Sequence, residues 1–186
     1  MTIPSYEKMM LPLLNLASDK KEHTADESLD FIKNHFSLSI EDCEMMLKSG
    51  RQSVVANRVG WARAYLKKAG LLESKERARF NITSEGLKVL KSNPPEITDK
   101  FLMLYPDFQE FQRRHKEKKN DIEAPEISSK TPLENLEDSY TTLRSNLADE
   151  LLSNIAKCSP AFFENLVVDL LVGMGYGGSI ADAGQS

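Results

Sequence analysis

Cysteine is scarce in this chain: Cys43 and Cys158 are the only two among 186 residues, far apart and without a partner at ligand spacing. A disulfide framework and a cysteine zinc site are excluded, and a reducing compartment fits. Long apolar runs are missing too. The longest, around Leu166–Val172, is broken by Asp169 and falls short of the ~20 residues of a membrane-spanning helix. The opening MTIPSYEK has no basic stretch before an apolar core, so a secretory signal is not expected and a cytoplasmic protein is. Histidine is thin and dispersed: His23 pairs with Glu27 at helical spacing, while His35 and His115 stand apart, which is too little for a metal centre. No elbow motif supports a Ser-His-Asp or Cys-His nucleophile. The glycine-rich tail GMGYGGSIADAGQS follows a helical pattern rather than a strand and has no Lys-Ser/Thr, so a phosphate loop is not expected.

The chain does have the composition of a soluble globular protein, 40% hydrophobic and 28% charged, and a length that allows one ordinary domain or two small ones. Its net charge of −4 hides an asymmetry. Between Lys48 and Lys91 eleven cations face three carboxylates, a balance of +8, whereas from Asp121 onward eleven carboxylates face three cations, a balance of −8. A ligand meets the field of one face and not the chain average, so the first window keeps a polyanion partner open despite a pI near 5.5.

Apolar spacing predicts a helix over Ser5–Leu16, with Tyr6, Met9, Met10, Leu13 and Leu14 inside and Pro12 as an irregularity. Thr24 with Glu27 forms a capping box for a second helix bearing Leu29, Ile32 and Phe36. Ser39 with Asp42 starts a third, with Ile40, Cys43, Met46 and Leu47 expected inward and Gly50 as its stop. Ser53 caps a fourth, polar helix that reaches about Ala69, before Gly70. At 100° per residue, Val55, Val59, Ala62, Leu66 and Ala69 share one narrow face. Asn57, Gly60, Ala64, Lys67 and Lys68 lie opposite, Arg58 and Arg63 flank them, and Trp61 falls on the polar side. Burial under a neighbouring segment is the plainer expectation for Trp61; contact with a ligand is the alternative. Leu71–Ser74 and Phe80–Ile82 enclose the basic tip KERAR, Lys75–Arg79, as a small hairpin. Thr83 caps a further helix with Leu87, Val89 and Leu90 inside, ended by Asn93-Pro94-Pro95.

Short helices, a polar helix and a hairpin in that order describe a winged helix-turn-helix over residues 1–95, whose polar helix would enter a major groove while the hairpin follows the phosphates. A helical protein-binding module has the same pattern, but the local +8 favours double-stranded DNA. Arg51, Gln52, Asn57 and Arg58 are the expected base-reaching groups; Arg63, Lys67, Lys68, Lys75, Arg77 and Arg79 are the expected phosphate contacts.

Two short helices, Lys100–Tyr105 and Phe108–Lys116, interrupted at Pro106, form an extension over residues 96–116, with Phe101, Leu104, Phe108 and Phe111 covering the preceding domain. Residues 117–130 are polar and aperiodic and read as a linker. Thr131, Pro132 and Glu134 open a long helix by cap, first-turn proline and capping box. Its seam, Leu133, Leu136, Tyr140, Leu143, Leu147, Leu151 or Leu152 and Ile155, requires a partner within or between chains. Ser159-Pro160 starts a last helix, Ala161–Met174, with Phe162, Leu166, Val167, Leu170 and Leu171 inside. The expected class is mostly α (α+β), and a homo-oligomer through the helices of residues 133–174 is a possible assembly.

NRVGWARAYLKKAGLLE (57–73) and FNITSEGLKVL (80–90) together resemble the N-terminal domain of Mrr-type restriction proteins, and SPAFFENLVVDLLVGMGYGGSIADAGQ (159–185) resembles the opening of the Mrr catalytic domain. FLMLYPDFQEF (101–111) and the helix from Thr131 are similar as well, so the resemblance covers nearly the whole chain. It implies a modification-dependent type IV restriction endonuclease: a winged helix that binds DNA, and a nuclease domain that cleaves foreign methylated DNA with magnesium. Glu164 matches the early-helix glutamate of that nuclease site. The later aspartate and Gln-x-Lys segment have no counterpart, Asp169 and Asp182 do not replace them, and no complete metal site is expected in this chain. Residues 131–186 are thus expected to hold a long helix and the first helix of a truncated nuclease domain, and the chain to act as a DNA-targeting part without cleavage. A stand-alone transcription regulator dimerising through residues 133–155 is the alternative.

Overall fold

A computed structural model describes residues 3–74, 76, 78–117 and 130–176. Two compact units divide the chain, residues 1–137 and 138–186. The elements are mostly helical with one small three-stranded sheet, so the expected mostly-α class holds.

The first unit is built around α1 (Tyr6–Leu16), which buries Tyr6, Met9, Met10, Leu13 and Leu14. Pro12 stays inside this helix without ending it. Thr24 caps α2 (Ala25–His35) by the expected box, its hydroxyl accepting from the Glu27 amide and the Glu27 carboxylate from the Thr24 amide. The box of Ser39 and Asp42 likewise starts α3, but that helix is only Ile40–Glu44. Its expected interior is corrected: Ile40 is 77% and Met46 49% exposed, and the inward groups are Asp42 and Leu47. The chain leaves the helix at Met45, so Met46 extends and forms a bridge to Ser53 in place of a helical contact.

Helix α4 (Val54–Lys68) crosses α1 and α2, and its stripe Val55, Val59, Ala62 and Leu66 lies in the core. The Ser53 hydroxyl accepts from the Ala56 amide, and Gly70 at φ +71° ends the turn in the left-handed region that glycine enters freely. Strands β2 (Leu72–Glu73) and β3 (Arg79–Ile82) pair antiparallel with Leu72 opposite Ile82, as the hairpin reading expects. A third strand, β1 (His23–Thr24), joins the far side of β3 with His23 opposite Phe80. Two residues carry no periodicity, so β1 is invisible to pattern reading.

Helix α5 (Ser84–Lys91) closes on this sheet at Gly86, where a Cβ would lie 2.3 Å from the Leu71 carbonyl oxygen and 2.7 Å from Ile82 Cγ1. Only a residue without a side chain permits that approach. Helices α6 (Asp99–Leu102) and α7 (Pro106–Glu117) follow. The two are separate helices, as expected, and Pro106 opens α7 at its first position, where a missing N–H costs nothing. Phe108 is fully buried and Phe101 and Phe111 pack on the core, whereas Leu104, expected there, is 72% exposed.

Helix α8 (Pro132–Ile155) begins in the first unit and continues through the second, which also holds α9 (Pro160–Gly173). Neither helix has a buried residue. The expected interior of α9 is therefore corrected: Phe162 is 50% and Leu170 60% exposed, and Leu171 and Val167 are open too.

Candidate nucleic-acid interface

Core packing of one stripe of α4 turns its opposite side outward. Gln52, Gly60, Ala64, Lys67 and Lys68 are exposed along that side, with Arg51 just before the helix. A shallow groove of about 250 Å³ follows it, lined by Gln52, Ala56, Asn57, Gly60, Trp61 and Ala64. Trp61 is half-buried at its edge, its ring edge-on to Tyr65 with centroids 5.6 Å apart. Helix α7 packs alongside α4 through Phe108 and Phe111, both against Tyr65, and the Lys68 ammonium stands 5.3 Å over the Phe111 ring. This side chain lies along an aromatic surface and still carries its charge to solvent.

Three expected contact residues are engaged inside the fold. Asn57, expected on the outward face, is 3% exposed because the Thr131 hydroxyl donates to its Oδ1 at 2.7 Å. Arg58 binds Glu134 through both Nε, at 3.2 Å, and Nη2, at 2.7 Å, while its Nη1 donates to the carbonyls of Ile3 and Pro4. The two side chains of this pair are only 13% and 10% exposed. Burial acts to raise the Glu134 carboxyl; the Arg58 guanidinium and the Thr131 amide and hydroxyl outweigh it and hold its pKa below the usual value. Arg63 sits between sheet and α2, donating to the Ser28 hydroxyl at 3.1 Å with its guanidinium 5.3 Å over the Phe80 ring. Burial lowers its pKa, with Asp26 acting in the opposite direction.

On β3, Arg79 is exposed but pairs with Glu22 at 2.9 Å and Glu76 at 3.7 Å. Lys75 and Arg77 lie outside the described residues. The Thr131–Glu134 contact with α4 is absent from the sequence reading. Its capping box is visible in the sequence, but a box marks where a helix starts and says nothing of what lies beneath it.

Glu164 is exposed on α9. Among the described residues no group of three or more His, Cys, Asp or Glu side chains could hold a metal ion. A magnesium ion needs several oxygen donors in octahedral array, so the residues described around Glu164 do not fit one. No described helix is long and apolar enough to cross a membrane.

Residues 6–92 match the family model of the Mrr N-terminal domain. A type IV methyl-directed restriction enzyme of Escherichia coli (strain K12), EcoKMrr, is 30% identical over 192 residues, covering 96% of this chain and 61% of the relative. This chain therefore spans about three fifths of the length of the curated relative it matches. No solved structure matches it. Residues 6–92, spanning α1 to α5, are thus an Mrr N-terminal domain, in a chain whose similarity to an Mrr enzyme runs along nearly all of its residues.

Proposed function

We propose that residues 1–95 are a winged-helix module that binds double-stranded DNA and targets an Mrr-like restriction system to foreign, methylated DNA. The observation that carries the reading is the outward side of α4, where Arg51, Gln52, Lys67 and Lys68 stand exposed and an open groove runs from Gln52 to Ala64. A helix of this kind meets base edges with its first turns, while exposed lysines such as Lys67 and Lys68 neutralise phosphates. The methyl-directed activity in the name of the E. coli relative supports modified DNA as the target. Residues 96–116 extend the module through α6 and α7, residues 117–130 connect it onward, and residues 131–186 correspond to a long helix and the start of a nuclease region. The unburied helices α8 and α9 also support self-association through residues 133–174.

Fluorescence anisotropy with a labelled duplex between about 50 and 200 mM salt tests the module. Replacing Lys67 and Lys68 together by alanine should weaken binding to every duplex and reduce the salt slope by about two units at most, since each phosphate contact contributes ~0.9. Replacing Gln52 should instead change the preference among duplex sequences. Undetectable binding at low salt sinks the proposal.

A further inference from the structure

Asn57 lies opposite the buried stripe of α4, where a surface helix is normally open to water, and yet it is 3% exposed. What covers it is Thr131, the residue that caps α8. One turn further, the Glu134 carboxylate takes the guanidinium fork of Arg58 with both oxygens, and the Ser49 amide donates to Glu137 at 3.3 Å. Glu134 offers Arg58 what a nucleic acid would offer it: two acceptor oxygens in the plane of the fork, as a phosphate or the O6 and N7 of guanine present them. The other two occupied donors of Arg58 point to the carbonyls of Ile3 and Pro4, which fix the side chain in place.

We propose that the first turn of α8 is an autoinhibitory latch: closed over α4, it occupies Asn57 and Arg58 with Thr131 and Glu134, and duplex DNA can engage those two groups only when the turn lifts away. The inference rests on the DNA-binding reading of α4. One amide oxygen and one guanidinium fork cannot serve both partners, so latch and duplex compete. A chain that is mostly closed binds with its intrinsic affinity reduced by the open fraction.

The test uses the full chain, its Glu134→Gln variant and its Thr131→Val variant with a labelled duplex at fixed salt. Both substitutions should tighten binding, by about tenfold for Glu134→Gln, where a charge-assisted pair is lost. Thr131→Val changes no charge, so its tightening separates an opened latch from a simple gain of positive potential. Hydrogen exchange on the wild-type chain gives a readout that needs no variant: a saturating duplex should speed exchange at the amides of residues 131–137. Equal affinity of the three proteins, or slower exchange of that turn with duplex bound, overturns the latch and leaves DNA binding standing. Failure of all three to bind duplex at low salt overturns both.

Discussion

Asp99 stands at the first position of α6, and its placement ties α6 to α1. The Tyr6 hydroxyl donates to its Oδ2 at 2.7 Å, its own amide donates to Glu7 at 2.9 Å, and its Oδ1 is buried without a hydrogen-bond partner among the described residues. Burial pushes the Asp99 carboxyl up to about 6, against the hydrogen bond from Tyr6 and with the help of the Glu7 charge. A carboxyl raised in this way keeps its proton in the folded chain at pH values where the unfolded chain has lost it. Its contribution to stability is therefore full below about pH 4 and is lost as pH rises to about 6. Asp99→Asn keeps an acceptor for Tyr6 and removes the charge. It should raise the stability of the fold by on the order of 1–2 kcal/mol at pH 7 to 8, with the partial exposure of the site discounted, and by nothing near pH 4. Thermal melts of both proteins across that range check it; an equal gain at all pH values would show that charge burial is not the cause.

At the scale of elements, the short capped helices were legible and their packing was not. Thr24, Ser39, Ser53, Thr83 and Ser159 each cap the helix expected of them, because a cap is satisfied by atoms within three residues. The interior of α3 was misread because the helix ends before Met46, and end positions depend on what the next segment needs. Helices α8 and α9 pose the opposite case: their apolar spacing is real, but Leu136, Tyr140, Leu143, Leu147, Phe162 and Leu170 are all at least half exposed. An apolar surface of that extent seeks cover. Light scattering should give a mass above that of a monomer for the full chain, falling when Leu143 and Leu147 are replaced together by glutamate. A monomeric mass for the unaltered chain at micromolar concentration would remove the proposed assembly.

Across the whole molecule, charge and chemistry are separated along the chain. The net positive balance lies between Lys48 and Lys91, while Glu164, which the family resemblance offers as a nuclease carboxylate, sits exposed on α9 with no group of metal ligands among the described residues. One carboxylate neither fixes magnesium nor activates water. We propose, as the DNA-targeting reading implies, that this polypeptide binds duplex DNA without nicking methylated plasmid at millimolar magnesium and that Glu164→Ala behaves as the unaltered chain does. Nicking that depends on both magnesium and Glu164 would refute this.

The sequence by itself determined the capped helix starts, the β2–β3 pairing, the outward placing of Gly60, Ala64, Lys67 and Lys68 and the likeness to the Mrr N-terminal domain. All of these follow from local spacing, capping chemistry or a residue pattern that needs no partner. Only the tertiary structure decided that Asn57 and Arg58 are occupied, that Phe111 supports Lys68, that Gly86 must lack a side chain and that β1 completes the sheet. Each of those joins residues distant in the chain. Helical phase fixes the direction in which a side chain leaves its own helix, but what meets it there is supplied by a segment that local spacing cannot locate.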